Sequence, residues 1–329
     1  MKLYPDSIVN ELKLLEPKLA EYLLTPSQPT NQIISHIIAS GGKRIRPGLF
    51  LLCCDLIRYD GEHRHPIAAV CEYIHTASLL HDDVIDNSQE RRGKPTVNSR
   101  WGDETAVLSG DLIYAAACRL MVKTGSLDLI DTFAECIRFM SESELFQLEL
   151  LWKLSTNRDD YLRVIKGKTA CLFAAACQTP AFLARQPAAV SQALGAFGES
   201  LGMAFQIADD CLDYTANQSD FGKPAVSDLF EGKVTLPLLI ALESANPAQR
   251  HFVEQILDGT QQRTPENQSR LQDFVITRDG VAKSYEFAET QLASAFLALE
   301  SIGSSGARLD TATLEHLKNL AKFVLARNH

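Results

Sequence analysis

Apolar residues recur at three- and four-residue intervals along almost the whole of this 329-residue chain. The stretches IVNELKLLEPKLAEYLL, DTFAECIRFMSESELFQLELLWKL and LEHLKNLAKFVLARN follow the period of an amphipathic helix, and the alternation of a half-buried strand is scarce. That pattern restricts the chain to an all-α fold, in which helices bury their apolar stripes against one another. Punctuation falls at Pro26 to Pro29, Gly41-Gly42, Asp60-Gly61, Arg92 to Pro95, Gly125-Ser126, Thr156 to Asp159, Gln186-Pro187, Gln218 to Gly222 and around Pro265. These breaks predict about a dozen helices. Length alone permits two domains. No Ser/Gly-rich or charged linker divides the chain and no repeat of solenoid length occurs, so the expectation is one helical domain over residues 1–329.

Composition narrows the class of function. Apolar residues are 46% of the chain and charged residues 22%, the balance of a soluble globular protein. A net charge of −9 argues against a general nucleic-acid binder, which needs a basic footprint for phosphates. The 8 cysteines lie mostly in apolar helical text, with no CxxC and no His-spaced zinc pattern. They are expected to be small buried hydrophobes in a reducing compartment, hence a cytoplasmic protein. The first helix carries several acids in place of the apolar core of a secretory signal, and no apolar run approaches the roughly 18 residues of a spanning helix.

The segment LLHDDVID places Asp82, Asp83 and Asp86 on one helical face, where like charges repel by a few tenths of a kcal/mol per pair. One such triplet is as compatible with a solvated helix end as with a site. A second, Asp209, Asp210 and Asp213 in QIADDCLD, makes chance a poor account of both. If the two helices lie antiparallel across a bundle, their acidic faces can meet around a shared cavity. Ligands that are all carboxylate oxygens suit a hard ion, Mg²⁺ or Mn²⁺, and Mg²⁺ completes its shell with waters and substrate phosphates. Calcium storage fits less well, because the spacing is not that of a calcium-binding loop.

Cations cluster beside these acids. GGKRIRPGLF puts Lys43, Arg44 and Arg46 between a diglycine and Pro47, which suits the first turn of a helix. Arg91 and Arg92 follow the first triplet, Lys168 precedes Thr169 in IKGKTACLF, and Lys223 and Lys233 follow the second triplet. Any one alone is most simply a surface cation; their joint placement points to a phosphorylated ligand. His75, His81, Gln147 and Gln206 carry little weight by themselves.

Taken together, GGKRIRP, IHTASLLHDDVIDNSQERRGKPTVN, GDETAVLSGDLIYAAA, YLRVIKGKTACLF, LGMAFQIADDCLD and FGKPAVSDLFEGKVTLPLLIAL make the chain resemble the all-trans polyprenyl diphosphate synthases, the head-to-tail prenyltransferases, along nearly its whole length. The resemblance is closest to the octaprenyl-type long-chain enzymes. It implies an isoprenoid synthase-type bundle of antiparallel helices around a central cavity, usually a homodimer. It also implies roles. Asp82, Asp83, Asp86, Asp209, Asp210 and Asp213 would bind about two or three Mg²⁺ ions, partly with the substrate and replaceable by Mn²⁺. Arg91, Lys168, Lys223 and Lys233 would hold the allylic diphosphate, Lys43, Arg46, His75 and Arg92 would bind isopentenyl diphosphate, and Thr169 and Gln206 would line the reacting carbon. No nucleic acid and no membrane-spanning segment is implied, although the product is a membrane lipid.

In that family a bulky aromatic near the positions of Ala77 and Ser78 forms a floor that stops chain growth. Both residues here are small, which predicts a deeper tunnel through Ile74 and Cys71 and a long product for a quinone side chain. Three positions depart from the family pattern: Ser143 and Pro180 stand where glycine is usual, and Val226 where glycine is common. The first is expected to crowd the cavity and the last to stiffen a loop closing over substrate. Other readings are a shorter-chain geranylgeranyl or farnesyl diphosphate synthase, a non-catalytic subunit of a heteromeric synthase, a terpene cyclase and a metal-storage bundle. The subunit and cyclase readings sit poorly with two intact acidic triplets beside GGKRIRP, and metal storage is distinguished by whether metal binds tightly without diphosphate.

Overall fold

The computed structural model describes residues 3–215, 226–262, 264–303 and 309–326. Among the described residues 78% are helical, in agreement with the all-α expectation. In order it forms α1 (Asp6–Glu21), α2 (Gln28–Ala39), α3 (Ile45–Leu56), α4 (Arg64–Ile85), a hairpin of β1 (Glu90–Arg91) and β2 (Lys94–Pro95), α5 (Val97–Trp101), α6 (Asp103–Val122), α7 (Leu127–Leu150) and α8 (Arg158–Ile165). A π-helical turn (Lys166–Ala170) leads into α9 (Cys171–Leu183), then α10 (Ala188–Thr215), α11 (Ser227–Phe230), α12 (Leu236–Glu243), α13 (Pro247–Leu257), α14 (Pro265–Thr277), α15 (Gly280–Gly303) and α16 (Thr311–Ala326). These outnumber the dozen expected helices partly because α5 and α11, of 5 and 4 residues, are too short to contain a periodic window. Backbone contacts group the chain into two compact units, one of Met1–Ile137, Leu172–Gly195 and Leu299–Leu320, the other of Arg138–Cys171, Ala196–Ala298 and Ala321–His329.

In the first unit, α3 is buried almost all round, from Leu49 to Cys54, which is why GLFLLCC is continuously apolar. Against it lie α1, through Ile8, Leu15 and Leu19, and α4, through Ile67 to Ile74. The phenol of Tyr73 donates to the carbonyl of Leu19 at 2.6 Å. α4 packs most extensively on α6, and this contact fits a side chain to a glycine: a methyl group at Gly110 would land on the imidazole of His81. His81, which the sequence left open between packing and function, thus packs α4 against α6.

The GGKRIRP loop is held by a buried ion cluster. Arg44 has left-handed backbone (φ 49°), costing a non-glycine residue about 1–2 kcal/mol. Its guanidinium meets Glu72 of α4 at 2.5 Å and Glu16 of α1 at 2.6 Å, and its carbonyl accepts from the Tyr4 hydroxyl at 3.1 Å. Arg44 is thus committed to these two carboxylates. Pro180, inside α9, removes the N–H that would bond the carbonyl of Ala176. It is fully buried there as part of the helix.

α6 is the one described helix that is long and apolar enough to cross a membrane by length and composition, with 33% of its most apolar window buried in protein. The thiols also divide. Cys53, Cys54, Cys71, Cys136, Cys177 and Cys211 are buried as expected, Cys171 is half-buried and Cys118 is exposed on α6; all are thiols outside any disulfide.

In the second unit one apolar cluster gathers Tyr214, Val226, Leu229, Leu238 and Val275, and another gathers Tyr161, Ile165, Ile207 and Leu236. Val226 adopts φ 61°, the conformation a glycine takes freely. Its side chain is fully buried, and burial worth about 1.5–3 kcal/mol offsets the backbone strain. Ser143 lies against Gly167 of the π-helical turn, with no room for a methyl between them.

Two outcomes are expected. Gly110→Ala should cost about 1–3 kcal/mol by overpacking, and adding His81→Ala should recover most of that loss; strictly additive melting shifts would disprove the contact. Glu72→Ala should cost about 1–3 kcal/mol, because it takes away the acceptor of Arg44 Nη1 while Glu16 still pairs with the guanidinium, and half-buried Glu16→Ala should cost under about 1 kcal/mol, both read by denaturant unfolding.

Candidate active site

Each unit contains a pocket lined by acids and bases. In the first unit the last turn of α4 carries Asp82 and Asp83, with Asp86 just beyond it. Asp83 is buried, and its Oδ1 accepts from Arg91 Nε at 2.9 Å and Nη2 at 2.7 Å. Its backbone carbonyl accepts from Asn98 Nδ2 at 3.1 Å, so this aspartate ties the hairpin to α4. Asp82 is half-buried and Asp86 exposed.

Beside them a pocket is lined by His75, Glu72, Arg44, Arg91, Arg92 and Asp83 among others. Burial, reinforced by Arg46, Arg92, Arg91 and Arg44, holds the His75 imidazole well below its usual pKa. It therefore faces this pocket as a neutral donor and acceptor. Arg92 donates to the carbonyl of Gly41, Lys94 Nζ reaches that of Ala39 at 2.5 Å and His36 Nε2 lies 2.8 Å from that of Pro95, so the hairpin is clasped to the end of α2. Lys43 is exposed and Arg46 stacks 4.9 Å over the Phe173 ring; neither is among the residues lining this pocket.

In the second unit a pocket is lined by Tyr161, Lys168, Gln206, Asp210, Asp228 and Lys233 among others. Lys168 and Thr169 project from the π-helical turn, a feature often found at functional sites. Thr169 Oγ1 donates to Gln206 Oε1 at 2.7 Å, Gln206 Nε2 donates to Asp210 Oδ1 at 2.8 Å, and the Tyr161 hydroxyl donates to Asp210 Oδ2 at 2.6 Å. Asp213 caps α11, accepting from Ser227 N at 2.9 Å, Ser227 Oγ at 2.8 Å and Asp228 N at 3.1 Å. Asp209 is half-buried. Lys168 pairs with Glu144 at 2.5 Å and Lys233 with Glu231 at 2.8 Å. Lys223 lies outside the described residues. Ser143, expected to crowd the cavity, is not in the wall of this pocket.

Sequence reasoning missed Tyr161, Asp228, Glu144, Glu231 and, in the first unit, Glu72 and His36. Glu72 had one available signal, since it lies three residues before His75 on the same helical face. Tyr161 had none, because its role depends on a neighbour far along the chain.

Burial pushes the Asp210 carboxyl up to about 7, opposed by its bonds from Tyr161 and Gln206 and reinforced by Asp209 and Asp213. Burial likewise raises Asp213 and Asp228. Such under-compensated negative charge, offered entirely through oxygens, fits a hard divalent cation. Among the described residues no three acid, histidine or cysteine side chains form a ready cage.

Comparison with known proteins agrees with this chemistry. Residues 27–274 match the model of the family described as Polyprenyl synthetase. Over 240 residues the chain is 40% identical to octaprenyl diphosphate synthase of Escherichia coli K12, covering 73% of this chain and 74% of that one. The crystal structure of a decaprenyl diphosphate synthase from Rhodobacter capsulatus superposes with a TM-score of 0.90 at 33% identity, covering 98% of each chain. A polyprenyl synthase from Caulobacter crescentus, complexed with calcium and isoprenyl diphosphate, gives 0.89 at 34% identity over 100% of both chains. The chain belongs to the polyprenyl synthetase family, and it is a prenyltransferase of the polyprenyl diphosphate synthase type.

Proposed function

We propose that this enzyme is a Mg²⁺-dependent, chain-elongating synthase that joins isopentenyl diphosphate to an allylic diphosphate such as farnesyl diphosphate. The product is a long all-trans polyprenyl diphosphate of octaprenyl length, destined for a quinone side chain. The observation that carries this reading is the pocket of the second unit, where Lys168 and Lys233 stand beside Gln206 and a buried, under-compensated Asp210. That combination suits a diphosphate accompanied by metal.

Asp82, Asp83, Asp86, Asp209, Asp210 and Asp213 would hold the Mg²⁺, which offsets charge building on the leaving diphosphate when the allylic C–O bond breaks. Their contacts divide the labour: Asp83 and Asp213 spend donors' bonds on shaping the hairpin and α11, as well as contributing charge. Arg91, Lys168, Lys223 and Lys233 clamp the allylic diphosphate. Lys43, Arg46, Arg92 and neutral His75 receive isopentenyl diphosphate, with Arg92 exchanging its bond to Gly41 for a phosphate oxygen. Thr169 and Gln206 place oxygens near the carbon where positive charge develops. The surrounding apolar residues exclude water, which would trap the cation as an alcohol.

Several observations support the finer points. The octaprenyl enzyme of E. coli is 40% identical to this chain, and Ala77 and Ser78 are small. A shorter product is the second reading, favoured by the complete burial of Ala77. Leu108, Ala115 and Val122 form an exposed, heptad-spaced apolar stripe on α6, which suits a second copy of the chain. Eight cysteines outside any disulfide suit a reducing compartment such as the cytoplasm.

Purified protein incubated with Mg²⁺, farnesyl diphosphate and labelled isopentenyl diphosphate should yield a ladder of products ending near octaprenyl. Asp82→Ala should lower turnover by roughly 10²-fold or more, and Lys43→Ala should chiefly raise KM for isopentenyl diphosphate; full activity in the aspartate variant would refute the metal assignment. Ser78→Phe, at a half-buried position, should shorten the product, and an unchanged product length by mass spectrometry would remove the floor model.

A further inference from the structure

α7 ends at Leu150, and two residues later the chain turns through a tryptophan in left-handed backbone, Trp152, with φ 64°. A bulky side chain is an outlier in that region, where glycine or asparagine is usual, so a specific contact has to hold it there. Trp152 is 48% exposed, which rules out core burial as that contact. Its partner is Gly232. The Trp152 N–H donates to the Gly232 carbonyl at 2.9 Å, and the indole covers the glycine so closely that a Cβ there would sit 2.6 Å from Cε2. Gly232, at φ 84°, forms a Schellman stop to α11: its N–H donates to the Leu229 carbonyl at 2.9 Å, and the Lys233 N–H donates to the Asp228 carbonyl at 2.8 Å. The planar peptide between Gly232 and Lys233 is therefore pinned at both of its groups, its carbonyl by Trp152 and its N–H by Asp228. That peptide sets the direction in which the Lys233 side chain leaves the backbone.

We infer that Trp152 is a positioning residue for Lys233 and, through it, for capture of the allylic diphosphate. The inference rests on the functional reading above and deepens it. Leu150, Leu151, Gly232 and Lys233 line the same pocket as Lys168, and Trp152 backs Gly232 without lining it. A lysine serves a phosphate as a point charge on a flexible stem, so its aim depends on where its Cα is fixed. The Lys233 ammonium rests 2.8 Å from Glu231 on the same turn, and a diphosphate has to draw it away. A pinned turn keeps the Cα in place during that exchange. Without the indole, the strained backbone at Trp152 loses the contact that seats it, and its bond to the Gly232 carbonyl weakens with it. The turn of Lys233 is then left with its internal Schellman bonds. Lys168 stands on the π-helical turn and keeps its own support, so the loss falls on Lys233.

Trp152→Ala removes the indole, and Trp152→Phe keeps a flat ring for Gly232. In steady-state elongation, Trp152→Ala should raise KM for farnesyl diphosphate about 5- to 20-fold, while kcat and KM for isopentenyl diphosphate stay within about threefold. Calorimetric titration with Mg²⁺ and inorganic pyrophosphate should show a weakening of the same size. Trp152→Phe should restore most of the loss in both measurements. The decisive comparison is a double-mutant cycle with Lys233→Ala: in that background Trp152→Ala should have little further effect on either quantity. A role in stability alone would lower the melting temperature of Trp152→Ala with no selective rise in KM. That result, or losses that multiply in the double variant, would overturn the inference. Wild-type protein that forms no elongated product would overturn the functional reading itself, whereas failure of the variants against an active wild type would overturn the role of Trp152 alone.

Discussion

A carboxylate taken out of water needs donors or positive charge around it, and this requirement organises both candidate pockets. Asp83 meets it with Arg91, Asp213 with the first turn of α11, Glu72 with Arg44 and Asp210 with Tyr161 and Gln206. Where the compensation is least complete, around Asp210, Asp213 and Asp228, the acids are pushed upward in pKa. Burial thus creates both the structural ties and the appetite for a cation.

The same economy explains where backbone strain is tolerated. Arg44 and Val226 both take left-handed backbone that glycine would adopt freely. One is held by two ion pairs and the other by burial in an apolar cluster. Each lies beside a segment that carries candidate site residues: Lys43 and Arg46 flank the first, and Asp213 and Asp228 contact the backbone around the second. The π-helical turn belongs to the same group, since it carries Lys168 and Thr169 and depends on Gly167 leaving room for Ser143.

Much of the fold was legible because burial of a helix leaves a period in the text. α3 reads as a continuous apolar run since it is covered all round, and α4 and α10 show their acidic faces as spaced aspartates. Less legible were α5, α11 and the hairpin, which are too short for periodicity and are defined by caps and positive-φ residues such as Arg92 and Gly93. The ion pairs of Arg44 were not legible, because Glu16 and Glu72 lie far from it along the chain. The crowding expected from Ser143 goes to Gly167, away from the wall of the pocket.

The sequence by itself determined the all-α class, the family and the inventory of acids and bases, because helical period and motif spacing are local properties of a chain. Only the tertiary structure decided which of those groups are committed to one another. Tyr161 and Asp210, or Arg44 and Glu72, are distant in the chain, and it is burial that brings their charges and donors within hydrogen-bonding reach and forbids water to take either place.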